Sequence, residues 1–200
     1  MITSSFSSLT IAWVAIATGV AGLLALAFIV LFFTVGRPFG TLNDGCIGLA
    51  AILSGVLAWM LSPQYHSQSP LLSQVALVVA VVGALVVVAG SALVIFGITG
   101  WFLAGLYMGA GNALIGLWLL GLSYSALSGT PWPHGLVVAG IVIGVVMALG
   151  SVAILGIVRS IDAWDSAPWH VKYVGQAGAL GWLVLYPIWC IWLGRVLWLD

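Results

Sequence analysis

From Gly45 to Val158 the chain runs 114 residues without one Asp, Glu, Lys or Arg. No water-soluble surface can be built from such a stretch, because a soluble domain carries roughly 25% charged residues and must cover its core with them. The whole chain of 200 residues is 64% hydrophobic and 4% charged, with Arg37, Arg159, Lys172 and Arg195 set against Asp44, Asp162, Asp165 and Asp200. These proportions point to an all-α, polytopic helix bundle embedded in a membrane. They also exclude several classes of function. There is no basic face for nucleic acid, no carboxylate cluster for a two-metal centre, and no arginine ladder for voltage sensing.

A hydrocarbon core of ~30 Å needs about 20 apolar residues in a helix. Six runs meet that need: 9–35, 43–61, 71–97, 101–127, 135–158 and 176–199. Gly36-Arg37-Pro38 ends the first and Ser62-Pro63 the second, since proline lacks the N–H that would continue a helix. Together they form one integral domain over 1–200. Residues 159–175 hold four of the eight charges and read as an interfacial segment or a plain connecting loop. Met1–Ser8 has no positive n-region, so the first span is expected to stay in the mature chain.

Basic residues gather on the cytoplasmic side of membrane proteins. The loops after the odd-numbered spans hold Arg37, Arg159 and Lys172, against Arg195 on the other side. This asymmetry predicts a plasma or inner membrane protein with both termini outside. Trp59, Trp132, Trp192 and Trp198 then mark the outer interface, and Trp101, Trp164 and Trp169 the inner one.

Without a hydrophobic drive between helices in lipid, association rests on close backbone approach and a few hydrogen bonds. Gly140, Gly144 and Ala148 recur at intervals of four in the fifth span, and Gly105, Gly109 and Ala113 do so in the fourth. These series are expected to pack helices. Asp44-Gly-Cys-Ile-Gly-Leu is similar to Asn112-Ala-Leu-Ile-Gly-Leu, and Gln176-Ala-Gly-Ala-Leu-Gly opens the sixth span. That spacing suggests three tandem helical hairpins. It also conflicts with the fourth boundary. A true repeat would set Asn112 near the inner face, whereas hydropathy sets it near the bilayer centre.

Few residues carry chemistry. Asp44, beside Asn43 at the start of the second span, reads as an N-cap or as a proton or cation site. Asn112 reads as interhelical glue, and Gln176 as a cap or interfacial residue. With Pro187, a candidate hinge in the sixth span, the three form the candidate polar lining of a path for solute. His66 and His134 lie on outer loops and His170 on the inner segment, without the spacing of a zinc site. Haem would need histidines within the spans, and a retinal Schiff base a lysine there, so no cofactor is expected. Cys46 and Cys190 stand roughly 15 Å apart in depth by helical rise, too far for a disulfide.

Three functions from different classes remain. The first is a non-enzymatic subunit or scaffold of a membrane assembly, in contact with lipids, other membrane subunits or copies of itself. The second is a transporter or channel for a small neutral or weakly polar solute. The third is a lipid-modifying enzyme with Tyr65, His66 and His134 as its only general bases. A connected polar cavity reaching the membrane midplane favours the second, and a dry, tightly packed interior the first.

Overall fold

A computed structural model describes residues 6–66, 70–127 and 132–199. Within them the chain is all-helical. Six helices follow in order: α1 (Ser8–Thr34), α2 (Phe39–His66), α3 (Pro70–Ile95), α4 (Trp101–Ala126), α5 (His134–Val158) and α6 (His170–Leu199). Each is long and apolar enough to cross a membrane. The architecture is that of a multi-pass membrane protein.

Each helix packs on the next, and α6 returns to α1, so the six close into a ring. The seams follow the small residues. A Cβ added at Gly83 of α3 would lie 2.6 Å from the Gly111 carbonyl oxygen of α4. One added at Gly144 of α5 would lie 2.8 Å from the Gly116 carbonyl oxygen and the Leu120 nitrogen. Backbone meets backbone at both places, as lipid-embedded helices require. Hydrogen bonds reinforce the seams: Ser73 Oγ donates to the Ser62 carbonyl (2.9 Å), and Trp189 Nε1 donates to the Leu136 carbonyl (3.0 Å).

The two ends of the ring carry separate aromatic groups. Phe6 packs edge-on against Trp59 and Trp13 against Trp198 at the end that holds both termini. Phe33 packs on Trp101 and Phe102 on Trp164 at the opposite end, where Arg37, Arg159 and Lys172 also lie.

Three boundaries differ from the sequence expectation, while the end of α1 and the start of α4 fall where it put them. Gly36, at φ 97°, closes α1, its N–H reaching the Phe32 carbonyl (3.0 Å). α2 then starts at Phe39 rather than residue 43, because Phe39 stacks on Phe28 and secures a first turn that hydropathy undervalues. At its other end α2 continues through Pro63 to His66. Proline removes one backbone bond there, the one to the Trp59 carbonyl, and the helix continues for three more residues. α4 begins at Trp101, as hydropathy indicates. The repeat's alternative, an interfacial segment over 101–111, does not occur.

The third difference is the largest. Only residues 159–169 form the connection, and α6 starts at His170. Its first six residues, 170–175, escaped a hydropathy reading because His170 and Lys172 interrupt the apolar run. Two π-helical turns, His170–Val174 and Gly181–Leu185, let this helix wind past its neighbours before Pro187.

Candidate functional site

A cavity of about 270 Å³ occupies the Arg37 end of the ring. Its wall comes from five helices and the connecting segment: Ile29 and Phe33 of α1, Asn43–Ile47 of α2, Trp101–Gly109 of α4, Gly150 and Ala153 of α5, and Val171–Leu183 of α6, with Trp164. The lining is mostly apolar and aromatic. Four polar side chains break it: Asn43, Asp44, Lys172 and Gln176. Exposed Phe33, Trp101, Trp164 and Gln176 stand around the rim. Trp182 and Leu183 lie twelve and thirteen residues into α6, so the cavity descends about 18 Å along that helix at 1.5 Å per residue.

Backbone contacts explain why there is space here. At Gly105 an added Cβ would meet nothing within 4 Å, and at Gly109 it would meet only the Ala153 Cβ at 3.6 Å. Deeper, α4, α5 and α6 converge on Gly150. A Cβ there would lie 2.9 Å from the Gly109 carbonyl oxygen, and one at Gly178 would lie 2.6 Å from the Gly150 nitrogen. The glycine series thus divides. Gly140 and Gly144 pack helices, with Gly140 against Ser123 and Trp189, whereas Gly105 and Gly109 face the cavity.

Asp44 is 4% exposed and lies five residues after the start of α2. It is therefore inside the helix and is not its N-cap, a correction that follows from the earlier start at Phe39. Asn43, 3% exposed, donates from Nδ2 to Asp44 Oδ1 at 3.0 Å. Asn43 Oδ1 is buried and has no hydrogen-bond partner among the described residues. Gln176 lies six residues into α6, so it does not open that helix. Asp44 and Gln176 line the same cavity.

Asn112 does not join them. It lines a second space of about 20 Å³ with Thr18, Ser54, Tyr186 and Pro187 at the centre of the ring. That volume holds about one water molecule. Ile47 and Trp182 stand in both linings and form the partition between the two spaces. Asn112 Nδ2 donates to the Met108 carbonyl of its own helix (2.9 Å), not to a neighbouring one. A buried i−4 carbonyl is the nearest acceptor for a short amide on a helix, and it wins here. Across the ring, Tyr186 Oη donates to Ser54 Oγ (2.9 Å), and Ser54 Oγ donates to the Ala50 carbonyl (2.7 Å). Pro187 is buried with its ring against Gly22 of α1, a packed position in the ring.

The connecting segment closes over the rim. Asp162 accepts hydrogen bonds from the backbone N–H of Gly100 (3.2 Å) and Leu103 (3.1 Å), capping α4. Lys172 Nζ donates to the Asp165 carbonyl (3.3 Å) and lies 5.7 Å from the centroid of the Trp164 ring.

The remaining candidates are scattered. His134 begins α5 at one end of the ring and His170 begins α6 at the other, while the side chains of Tyr65 and His66 lie outside the described residues. No group of three or more His, Cys, Asp or Glu side chains comes together among the described residues. Cys46 and Cys190 are free.

Sequence reasoning singled out Asp44 and Gln176, but missed Asn43, Lys172 and the aromatic wall. An Asn-Asp pair entering a charge-free block was the available sign for Asn43. No protein family, curated protein or solved structure matches the chain.

Proposed function

We propose that the protein binds a small solute with an apolar body and a polar end inside the membrane, and carries it across. The carrying observation is the cavity of about 270 Å³, apolar and aromatic along its wall, with Asn43, Asp44 and Gln176 among its few polar groups. Small-molecule sites have this character: a mostly apolar concavity with a few polar groups that fix orientation. An apolar cavity of ~150 Å³ holds benzene, so the present volume suits a solute on the order of ten non-hydrogen atoms. This open space favours the solute reading over a scaffold, for which a dry, tightly packed interior is expected.

The partition of Ile47 and Trp182 gives the transport reading its shape. Exposed Phe33, Trp101, Trp164 and Gln176 surround the cavity at the Arg37 end, and the small polar space around Thr18, Ser54, Asn112 and Tyr186 shares Ile47 and Trp182 with it. Passage would require Trp182 to move aside. The π-helical turn Gly181–Leu185 supports that motion, because such turns hold backbone bonds that can shift register.

Intrinsic fluorescence tests the reading, since Trp101, Trp164 and Trp182 line the cavity. Small aromatic solutes should change the emission saturably in the purified protein. Gly105→Phe, which adds a ring where space is open, should abolish the change while leaving the melting temperature intact. An equal response in both proteins would refute binding at this site.

A further inference from the structure

The corner of the cavity formed by Asn43 and Asp44 specifies what its solute must carry, an inference that rests on the solute-binding reading above. Asn43 Oδ1 is a buried amide oxygen without a partner among the described residues. Leaving such an acceptor unmade costs about 1–3 kcal/mol. Its identity as oxygen follows from its neighbour: a flipped amide would set Oδ1 against the Asp44 carboxylate in place of the N–H donor found there. Asp44 accepts that one hydrogen bond and pairs with no cationic side chain among the described residues. Lys172, the one cation in the lining, is turned toward the Asp165 carbonyl and the Trp164 ring.

The corner therefore offers acceptors and a negative charge, and one of the two Asn43 Nδ2 hydrogens is already held by Asp44. A carboxylate or phosphate would meet like charge, and a ketone or ether, having no hydrogen to donate, would leave both Asn43 Oδ1 and the Asp44 carboxylate unanswered. An N–H donor bearing positive charge answers both groups. Phe33, Trp101, Phe102 and Trp182 line the rest of the space, and aromatic faces attract cations as well as apolar bodies. An inorganic cation would fill only a small part of about 270 Å³. A quaternary ammonium would leave Asn43 Oδ1 without its hydrogen. We infer that the cavity takes a small primary or secondary amine in its protonated form, the ammonium held by Asn43 and Asp44 and the apolar part lying along the aromatic wall.

Three probes of one shape test this in the purified protein at neutral pH: phenethylammonium, the neutral 2-phenylethanol and the anionic 3-phenylpropionate. Each is titrated against intrinsic fluorescence. Phenethylammonium should saturate at a concentration at least about tenfold lower than either other probe, the scale of one charge-assisted hydrogen bond. Asp44→Asn, which keeps the shape and removes the charge, should erase that preference. N-trimethylation of the amine should weaken binding, since the N–H donors are gone. If the alcohol or the acid binds wild type as well as the amine does, the amine inference fails and the solute-binding reading stands. If none of the three gives a saturable change, both fail. The ranking in wild type decides the matter even if Asp44→Asn does not fold.

Discussion

Asp162 and Leu103 are 59 positions apart in sequence, yet the Asp162 carboxylate accepts the Leu103 backbone N–H at 3.1 Å. The same carboxylate accepts from Gly100 through its other oxygen at 3.2 Å. A side chain from the connection before α6 thus supplies the N-terminal cap of α4, the helix that brings Trp101, Phe102 and Gly105 to the cavity. Gly100 permits the approach, because a Cβ there would collide with the Asp162 carboxylate.

Removing this cap should loosen α4 at the rim. Asp162→Ala is expected to cost about 0.5–2 kcal/mol, the range for lost N-caps. For a chain of this size, each kcal/mol corresponds to roughly 2–4 °C in melting temperature. Gly100→Ala should be damaging alone but add little to Asp162→Ala, since both changes break the same contact. Thermal melts of the two single variants and the double variant in detergent check this. Full additivity would show that Asp162 does not hold the α4 terminus.

Two glycines with the same four-residue spacing should behave in opposite ways. Gly144→Ala places a Cβ against the α4 backbone, 2.8 Å from the Gly116 carbonyl oxygen. Overpacking of that kind costs about 1–3 kcal/mol. Gly105→Ala meets nothing within 4 Å and should leave stability unchanged. Its effect should appear in solute binding, where the added methyl narrows the cavity. Melting temperatures that rank the pair the other way would contradict the assignment of the two faces.

The six helices were legible because hydropathy acts locally along the chain, but glycine spacing marked the seams only in part: Gly140 and Gly144 pack as expected, whereas Gly105 and Gly109 face the cavity. The polar site was legible only in part. Asp44 drew notice as the one carboxylate beside a charge-free block, but its place inside α2 depends on Phe39 stacking on Phe28, a contact between helices. Asn112 looked like glue between helices, and its bond to Met108 within α4 follows from the packing around it. His170 and Lys172 lowered the hydropathy of the α6 start enough to disguise residues 170–175 as part of the connection. No single-chain pattern encodes the cap from Asp162, because that contact joins distant segments.

Tyr186→Phe should separate packing from polar contact at the centre of the ring. The substitution removes the bond from Tyr186 Oη to Ser54 Oγ and leaves the buried ring in place. Ser54 keeps its own bond to the Ala50 carbonyl. The expected loss is therefore small, about 0.6 kcal/mol as for other hydrogen bonds between membrane helices. A melting temperature within about 2–3 °C of wild type fits that scale. A collapse of stability would show that the hydroxyl is central to the fold.

Arg37, Arg159 and Lys172 at one end of the ring predict, by the excess of basic residues on cytoplasmic loops, that this end faces the cytoplasm and the termini the outside. In a background of Cys46→Ala and Cys190→Ala, Leu199→Cys should react with an impermeant thiol reagent in intact cells. Ser166→Cys, on the connection before α6, should react only after permeabilisation. The opposite pattern would reverse the orientation and with it the side from which solute enters.

The central claim is that the space between α1, α2, α4, α5 and α6 is an aqueous-accessible solute site. Gly105→Cys, in the same cysteine-free background, tests it most directly because position 105 lines that space without touching a neighbouring helix. In proteoliposomes the new thiol should react with a small water-soluble methanethiosulfonate, and saturating phenethylammonium or 2-phenylethanol should slow that reaction. Reaction only with a lipid-soluble maleimide, at a rate that neither solute alters, would contradict the account.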